Sequence, residues 1–192
     1  MKGGKILDFI QKELNYTKKH YPDEKEFNLN ELIPHIIFAR KIEYTSDLNF
    51  EDSFNNFLSR IYKGFEPPFP VEKVAKAIGV KAIEYYELSR KGFAVLFHGN
   101  WYIGVNKNDS LIEQKFTIAH ETSHIGLNYT SNKELLPLGT EDTCDYIARL
   151  IIMPSYDFEN NAKKLDCDIE KLSGLYSCPS YMIETRIEEL KI

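Results

Sequence analysis

The stretch that decides the fold of this 192-residue chain reads Phe116-Thr117-Ile118-Ala119-His120-Glu121-Thr122-Ser123-His124-Ile125-Gly126. Its two histidines are four residues apart, so on a helix one imidazole lies above the other and both can bind the same metal ion. Glu121 is rotated by about 100° around the helix from His120, where it can face an open coordination position. The pattern predicts two metal ligands and a general base on one helix.

Signals on both sides of this stretch support a bounded helix and argue against a chance match to a short pattern. Ser110 can act as the N-cap, with Glu113 three residues later as its partner in a capping box. Gly126 is a typical helix stop. The pentapeptide 120–124 is therefore predicted to occupy the last turns of the helix.

A third metal ligand is predicted from residues 141–145. A zinc site that hydrolyses amide bonds usually combines two histidines with a carboxylate and leaves the fourth position to water. Glu141 and Asp145 share one face at the start of a second helical pattern, which Pro154 ends. We assign Glu141 as the third ligand and Asp145 as an acceptor for the outer N–H of a ligand histidine. A solvated surface carboxylate is the alternative for Asp145.

These segments resemble the ImmA/IrrE family of metallopeptidases over roughly residues 68–192. The resemblance is carried, in chain order, by Pro70-Val71-Glu72-Lys73-Val74-Ala75-Lys76-Ala77-Ile78-Gly79-Val80, Trp101-Tyr102-Ile103-Gly104-Val105-Asn106, Phe116-Thr117-Ile118-Ala119-His120-Glu121-x-x-His124, Glu141-x-x-x-Asp145-x-x-Ala148 and Ile151-Ile152-Met153-Pro154. The family commonly has asparagine at the position of Asp145 and a small residue at that of Cys144. Asp145 brings the segment closer to the pattern of the wider gluzincin peptidases.

The resemblance implies a zincin-like core, in which helices surround a small sheet, and a site-specific endopeptidase that cleaves a helix-turn-helix transcriptional repressor. Members of the family are often encoded with such a repressor in mobile elements or stress-response operons. The alternative is a binding protein that keeps the fold and the metal site but sequesters a regulator or an antitoxin-like partner. Glu121 favours the enzyme, because a module without catalysis has no chemical need for a base at this position.

The three ligands are expected to hold one zinc ion, with manganese as the alternative metal. Glu121 would deprotonate a water molecule as general base and later return the proton to the leaving amine as general acid. Zincins also need a donor that stabilises the oxyanion. The sequence leaves His98, Tyr129 and Tyr146 open as candidates for that donor.

An N-terminal helical extension is predicted for residues 1–66, outside the resemblance. Helical patterns cover residues 5–20, 29–44 and 51–62. Three prolines within residues 67–70 restrict the chain and mark the boundary with the catalytic part. Aromatic residues in the extension favour a cap that packs on the catalytic part. A gate over the cleft, or a surface for a partner, is the alternative.

The catalytic part, residues 67–192, is predicted to have an α+β fold. A short helix at 71–78 precedes three strands at 81–86, 92–98 and 101–105, with a hairpin turn at 98–100. An edge of this small sheet beside the active-site helix would let an extended peptide add as a strand. The last helices outline a helix-turn-helix, but acidic residues outnumber basic ones from 155 onward, so a helical pair packed on the core is favoured over DNA binding.

Composition points to a soluble cytoplasmic protein. With 29 acidic and 24 basic residues the formal net charge is -5, which gives no general attraction to nucleic acid. The three cysteines form no Cys-x-x-Cys pair and suggest buried thiols in a reducing compartment. No signal peptide or stretch of ~20 apolar residues is present, so we expect neither secretion nor membrane insertion. The sequence leaves open the substrate, the triggering signal and the oligomeric state.

Overall fold

The computed structural model describes residues 50–127 and 141–192, and these residues confirm the predicted α+β fold. Seven helices surround one three-stranded sheet in this part of the chain. The elements are α1 (Phe50–Ile61), α2 (Glu72–Ile78), β1 (Val80–Tyr86), β2 (Gly92–Phe97), β3 (Asn100–Asn106), α3 (Leu111–Gly126), α4 (Glu141–Ile152), α5 (Ser155–Lys164), α6 (Ile169–Tyr176) and α7 (Ser180–Leu190). The helices predicted at 5–20 and 29–44 lie outside the described residues.

β3 is the central strand of the sheet. It pairs in parallel with β1 and antiparallel with β2, so the strand order is β1-β3-β2. The turn between β2 and β3 has His98 at φ 48° and Gly99 at φ 74°, and two positive values are what a tight hairpin turn requires. The predicted hairpin is confirmed, and β2 lies at the edge of the sheet as the structure describes it.

Side chains alternate between the two faces of the sheet. Ile103 and Val105 of β3 are buried in the main core, on the face that the helices cover. Phe93 and Val95 of β2 belong to a separate small cluster. Phe93 lies opposite Gly104, where any side chain would overlap the phenylalanine ring. Because α3 packs against β2 and β3, the helix that carries His120 and His124 lies next to the edge strand.

Helix α3 begins as the sequence predicts. The hydroxyl of Ser110 accepts a hydrogen bond from the N–H of Glu113 at 3.3 Å, and the Glu113 carboxylate accepts one from the N–H of Ser110 at 3.1 Å. This capping box satisfies two backbone donors at the helix start. The same carboxylate pairs with Lys91 at 3.1 Å, which ties the helix start to the residues just before β2.

Helix α1, the described end of the predicted extension, belongs to the same core as helices α3 and α4. Phe54 and Leu58 are fully buried in one cluster with Ile147 of α4. The hydroxyl of Tyr62, just after α1, donates to the carbonyl oxygen of Ile151 at 3.0 Å. α1 therefore packs as part of the main hydrophobic core.

A buried ionic network joins four helices. Arg186 of α7 is fully buried and donates to Glu51 of α1 and to Glu189, at 3.0 Å in each case, as well as to the hydroxyl of Ser155. Glu51 also accepts a hydrogen bond from the hydroxyl of Tyr146 on α4 at 2.6 Å. Burial raises the pKa of Glu51, but the hydrogen bonds to its carboxylate outweigh burial and lower the pKa overall.

The C-terminal helices α6 and α7 form the predicted pair. They pack against each other, and Leu172, Tyr176, Met182 and Ile183 are buried in the main core. The apolar faces of both helices are therefore used for packing.

Two expectations from composition concern residues that the structure describes. None of the helices within 50–127 and 141–192 combines the length and apolar character that a membrane span requires. Cys144 and Cys178 are buried as predicted, whereas Cys167 is partly exposed because it lies in the turn between α5 and α6. None of the three cysteines forms a disulfide bond.

Candidate metal centre

Two helices bring three potential ligand groups to one point. His120 and His124 lie on α3, and their Nε2 atoms are 3.0 Å apart. Glu141, the first residue of α4, places Oε2 at 3.1 Å from Nε2 of His120 and Oε1 at 3.6 Å from Nε2 of His124. The structure thus brings together the three side chains that the sequence nominates as ligands.

The spacing of these atoms fits a tetrahedral metal ion. Bonds of ~2.0–2.1 Å at tetrahedral angles place ligand atoms ~3.3–3.4 Å from one another. The observed separations of 3.0, 3.1 and 3.6 Å lie on both sides of that value. Two imidazole nitrogens and a carboxylate oxygen form a donor set that suits zinc.

The charges around His120 also fit a cation. Burial lowers the pKa of His120, but hydrogen bonds with Asp145 and Glu141 outweigh burial and raise the pKa to about 10. The hydrogen bond with His120 is the largest cause of a lowered pKa at Glu141. The carboxylates therefore stabilise a positive charge at this point, and a bound divalent ion would supply it.

His124 shows the opposite shift. Burial, followed by the positive charge of His120, lowers its pKa to about 4. Its imidazole is therefore neutral at pH 7, which is the form that binds a metal ion.

Residues on one face of α4 also contact Nδ1, the outer ring nitrogen, of each histidine. Oδ1 of Asp145 lies 2.7 Å from Nδ1 of His120, and Sγ of Cys144 lies 3.2 Å from Nδ1 of His124. If a metal ion replaced the proton on Nε2, the proton kept on Nδ1 would fix the tautomer whose Nε2 lone pair binds the ion. Glu141 is thus one candidate ligand, and Cys144 and Asp145, on the same face of α4, orient the two histidines that are the other candidates.

Replacing Asp145 by alanine is expected to weaken metal binding ~10–100-fold, because His120 would lose the acceptor that fixes its tautomer and ring orientation. The measurement is the zinc dissociation constant in competition with a chromophoric chelator. Asp142→Ala is the matched control, since it removes the same charge from an exposed position on the same helix. Equal zinc affinities of the parent and Asp145→Ala would show that Asp145 is a surface carboxylate without a role in metal binding.

Sequence reasoning missed the contact of Cys144 with His124. It predicted a buried thiol, and Cys144 is indeed fully buried, but burial alone does not indicate a hydrogen-bond partner. The available signal was its position three residues after Glu141, which places both side chains on one helix face.

Cys144→Ala is expected to weaken zinc affinity by up to ~10-fold, because Nδ1 of His124 would lose an acceptor. Cys144→Ser keeps an acceptor and should retain more of the affinity, a difference that a purely structural role would not produce. Cys178→Ala serves as control, since Cys178 is equally buried but contacts Met153. If alanine and serine variants both bind zinc like the parent, the contact does not orient the ligand.

The side chain of Glu121 lies between its own helix α3 and the edge strand β2. Burial raises its pKa to about 7, partly offset by the positive charges of His120 and Arg90 and by a hydrogen bond with the backbone of Ala94. A carboxylate with a pKa near 7 can accept a proton from water and give it back. The position of Glu121 therefore suits the predicted base.

Two of the three candidates for the oxyanion donor lie within the described residues. The hydroxyl of Tyr146 already donates to Glu51 in the buried ionic network. His98 is exposed at the tip of the β2–β3 hairpin, with its ring 4.2 Å from that of Phe97. Tyr129 lies outside the described residues. Tyr146 is therefore committed to a structural contact.

Comparisons with known proteins agree with this geometry. The model of a peptidase family, M78, described as the IrrE N-terminal-like domain, matches residues 75–188. No curated protein matches the sequence. Among solved structures, a Mycobacterium tuberculosis transcriptional regulator is similar, with a TM-score of 0.54 and 15% identity over 84% of this chain and 52% of that chain. The present chain thus spans about half of that structure, and the likeness concerns the fold.

Proposed function

The chain belongs to the IrrE N-terminal-like family of peptidases, which confirms the resemblance in its motifs, and we therefore propose that it is a zinc-dependent endopeptidase. The matched residues 75–188 contain the whole candidate centre and the sheet beside it, in an arrangement consistent with a zincin-like core. The observation that carries the proposal is the convergence of His120, His124 and Glu141, with Glu121 close enough for its charge to interact with those of His120 and Glu141.

The chemistry divides between the metal and the protein. A bound zinc ion would polarise the scissile carbonyl and lower the pKa of a water molecule. His120, His124 and Glu141 would hold the ion, while their partners on α4 keep both imidazoles in the metal-binding tautomer. Glu121 would accept the proton of the water molecule and pass it to the leaving amine.

The edge strand supports an extended peptide as substrate. In the described part of the chain only β3 pairs with β2, so a further strand can add along its outer edge, where the backbone of Ala94 already bonds Glu121. A peptide that adds there would lie beside α3 and Glu121. Leu96 of β2, with 41% of its surface exposed, offers an apolar contact for such a peptide.

We further infer that the substrate is a helix-turn-helix transcriptional regulator. The support is the resemblance to a family whose members are often encoded with such a repressor. The similar Mycobacterium tuberculosis structure, itself a transcriptional regulator, agrees with a role in gene control. A small regulator gene adjacent to the gene of this protein would nominate the substrate.

The experiment incubates the zinc-loaded protein with that purified regulator and follows the products by gel electrophoresis and mass spectrometry. We expect one or a few discrete fragments, loss of cleavage with a chelator and recovery when zinc is returned. Cleavage at many sites would contradict a site-specific enzyme. Stable binding without fragments, with and without zinc, would favour the sequestering protein.

A further inference from the structure

Gly92 lies in a close contact between helix α3 and the edge strand β2. It is the first residue of β2 and pairs with Val105 of β3. A Cβ atom built on Gly92 would be 2.3 Å from Cγ2 of Thr117 on α3 and 2.7 Å from the carbonyl oxygen of Gly104 on β3. Real Cβ atoms essentially never come within 3.0 Å of another heavy atom in this way. A side chain at this position therefore overlaps both the helix and the central strand.

The overlap involves groups that have little freedom to move. Thr117 is buried, and a β-branched side chain in a helix has few accessible rotamers. The oxygen of Gly104 belongs to the backbone, which a change of rotamer cannot move. Carbon atoms in favourable contact are ~3.5–4.0 Å apart. A side chain at Gly92 would therefore force α3 and β2 apart by up to roughly 1 Å.

Glu121 reaches β2 at the same place. It lies one turn further along α3 than Thr117, on the same helix face. The Cβ atom built on Gly92 would be 3.7 Å from Oε1 of Glu121. The carboxylate of Glu121 also accepts a hydrogen bond from the backbone of Ala94. The close contact at Gly92 and the hydrogen bond at Ala94 are therefore neighbours on β2.

The hydrogen bond at Ala94 lies on the outer edge of β2. The carbonyl oxygen of Lys91 accepts a hydrogen bond from the N–H of Asn106 at 2.8 Å, so the backbone of Lys91 faces β3. Successive residues of an antiparallel strand direct their backbone groups to opposite edges, so those of Ala94, three residues later, face away from β3. The proposed substrate peptide adds along this edge. Glu121 is therefore held where the peptide backbone would lie.

The candidate ligands depend on a different contact. His120 and His124 of α3 converge with Glu141 of α4, so the packing of two helices forms the metal centre. The edge that would bind the substrate belongs to the sheet. The distance between α3 and β2 therefore decides how the metal centre and the base lie relative to a bound peptide.

We propose that Gly92 is a positioning residue, whose missing side chain lets α3 approach β2 closely enough for Glu121 to lie on the substrate edge. The proposal rests on the proposed peptidase function, because it concerns the base of that reaction. A displacement of ~1 Å between a catalytic group and its substrate can cost about 10²-fold in rate. Binding of the metal ion needs no contact with β2, so zinc affinity should not depend on Gly92.

The first test does not depend on cleavage. It follows the N–H signal of Ala94 by nuclear magnetic resonance in zinc-loaded protein with ¹⁵N-labelled alanine. Ala94→Gly identifies the signal by its loss, and Glu121→Ala gives its position without the carboxylate. Gly92→Ala should move the signal toward that position. The double variant Gly92→Ala/Thr117→Ser lacks the methyl group that meets the new side chain and should reverse part of the shift.

The second test measures kcat, KM and the zinc dissociation constant, with a peptide that contains the cleavage site of the regulator. Gly92→Ala should lower kcat about 100-fold, while KM and the zinc dissociation constant stay close to those of the parent. The double variant with Thr117→Ser should recover part of kcat. A purely structural role would instead lower the folded fraction and the zinc content together, without a change in kcat per bound zinc ion.

Gly174→Ala is the matched control, because it makes the same change on α6, where a Cβ atom would meet nothing within 4 Å. It should leave the Ala94 signal and kcat unchanged. An unshifted Ala94 signal in Gly92→Ala, an unchanged kcat, or equal signals in the single and double variants would overturn the proposal.

Two further outcomes are also decisive. If Gly92→Ala does not fold, Thr117→Ser alone takes its place, since loss of the methyl group also removes the contact between α3 and β2. An Ala94 signal that then stays at the parent position would overturn the proposal. If the parent cleaves nothing, the peptidase function fails, while a shifted Ala94 signal in Gly92→Ala would still support the positioning of Glu121 by Gly92.

Discussion

Glu121→Gln is expected to lower peptide hydrolysis by at least ~10²–10⁴-fold while zinc binding and the fold persist. Glutamine keeps the size and hydrogen-bonding capacity of the side chain but cannot accept the proton of water. The parent carboxylate is suited to this transfer because burial raises its pKa to about 7. The measurement is the initial rate of regulator cleavage by zinc-loaded parent and variant, with the zinc content of each determined by elemental analysis.

The control for this experiment is Glu184→Gln, which makes the same chemical change at an exposed position of α7. It should cleave at the parent rate. A pull-down of the regulator should succeed with parent and Glu121→Gln protein alike, since the substitution removes a base and not a binding surface. If both proteins bind the regulator, leave it intact and relieve repression equally in cells, the peptidase proposal fails and sequestration stands.

Arg186→Met is expected to destabilise the fold by ~3–5 kcal/mol, because removing one partner of a buried ion pair leaves charge without compensation. Arg186 is fully buried between Glu51 and Glu189. Arg149 would still pair with Glu189 at 2.6 Å, but Glu51 would keep only the hydroxyls around it. The measurement is the free energy of unfolding from urea denaturation of the parent and the variant.

Acid pH should reduce this difference. The folded protein holds the pKa of Glu51 below its ordinary value of 4.5, so the stability that comes from this charge is fully present above pH 4.5 and is lost as pH falls through the lowered pKa. Lys171→Met is the control, because Lys171 pairs with Asp168 at 2.8 Å on the surface and exposed pairs contribute little. Equal small effects of both substitutions would show that the buried network does not stabilise the fold.

Local chemistry made several features predictable from the sequence. The capping box of Ser110 and Glu113 depends on residues three apart, and the β2–β3 turn depends on two adjacent residues that accept positive φ. The four-residue spacing of His120 and His124 places both imidazoles on one face of any helix. These features needed no information about distant parts of the chain.

Contacts between distant elements could be predicted only in part. Glu141 was nominated from helix spacing and the family resemblance, and the structure brings it to both histidines because α4 packs along α3. Tyr146 illustrates the limit, since the sequence offered it as an oxyanion donor whereas its hydroxyl donates to Glu51, 95 positions away. Which acceptor a side chain reaches depends on how the helices pack.

The sequence by itself therefore determined the helix with its two histidines, the position of Glu121 between them, the order of strands along the chain and the family. Only the tertiary structure decided that Cys144 contacts His124 and that Arg186 is buried between two carboxylates. The physical reason is that periodicity and turn chemistry act over a few residues, whereas these contacts join elements whose separation is set by packing of the whole core.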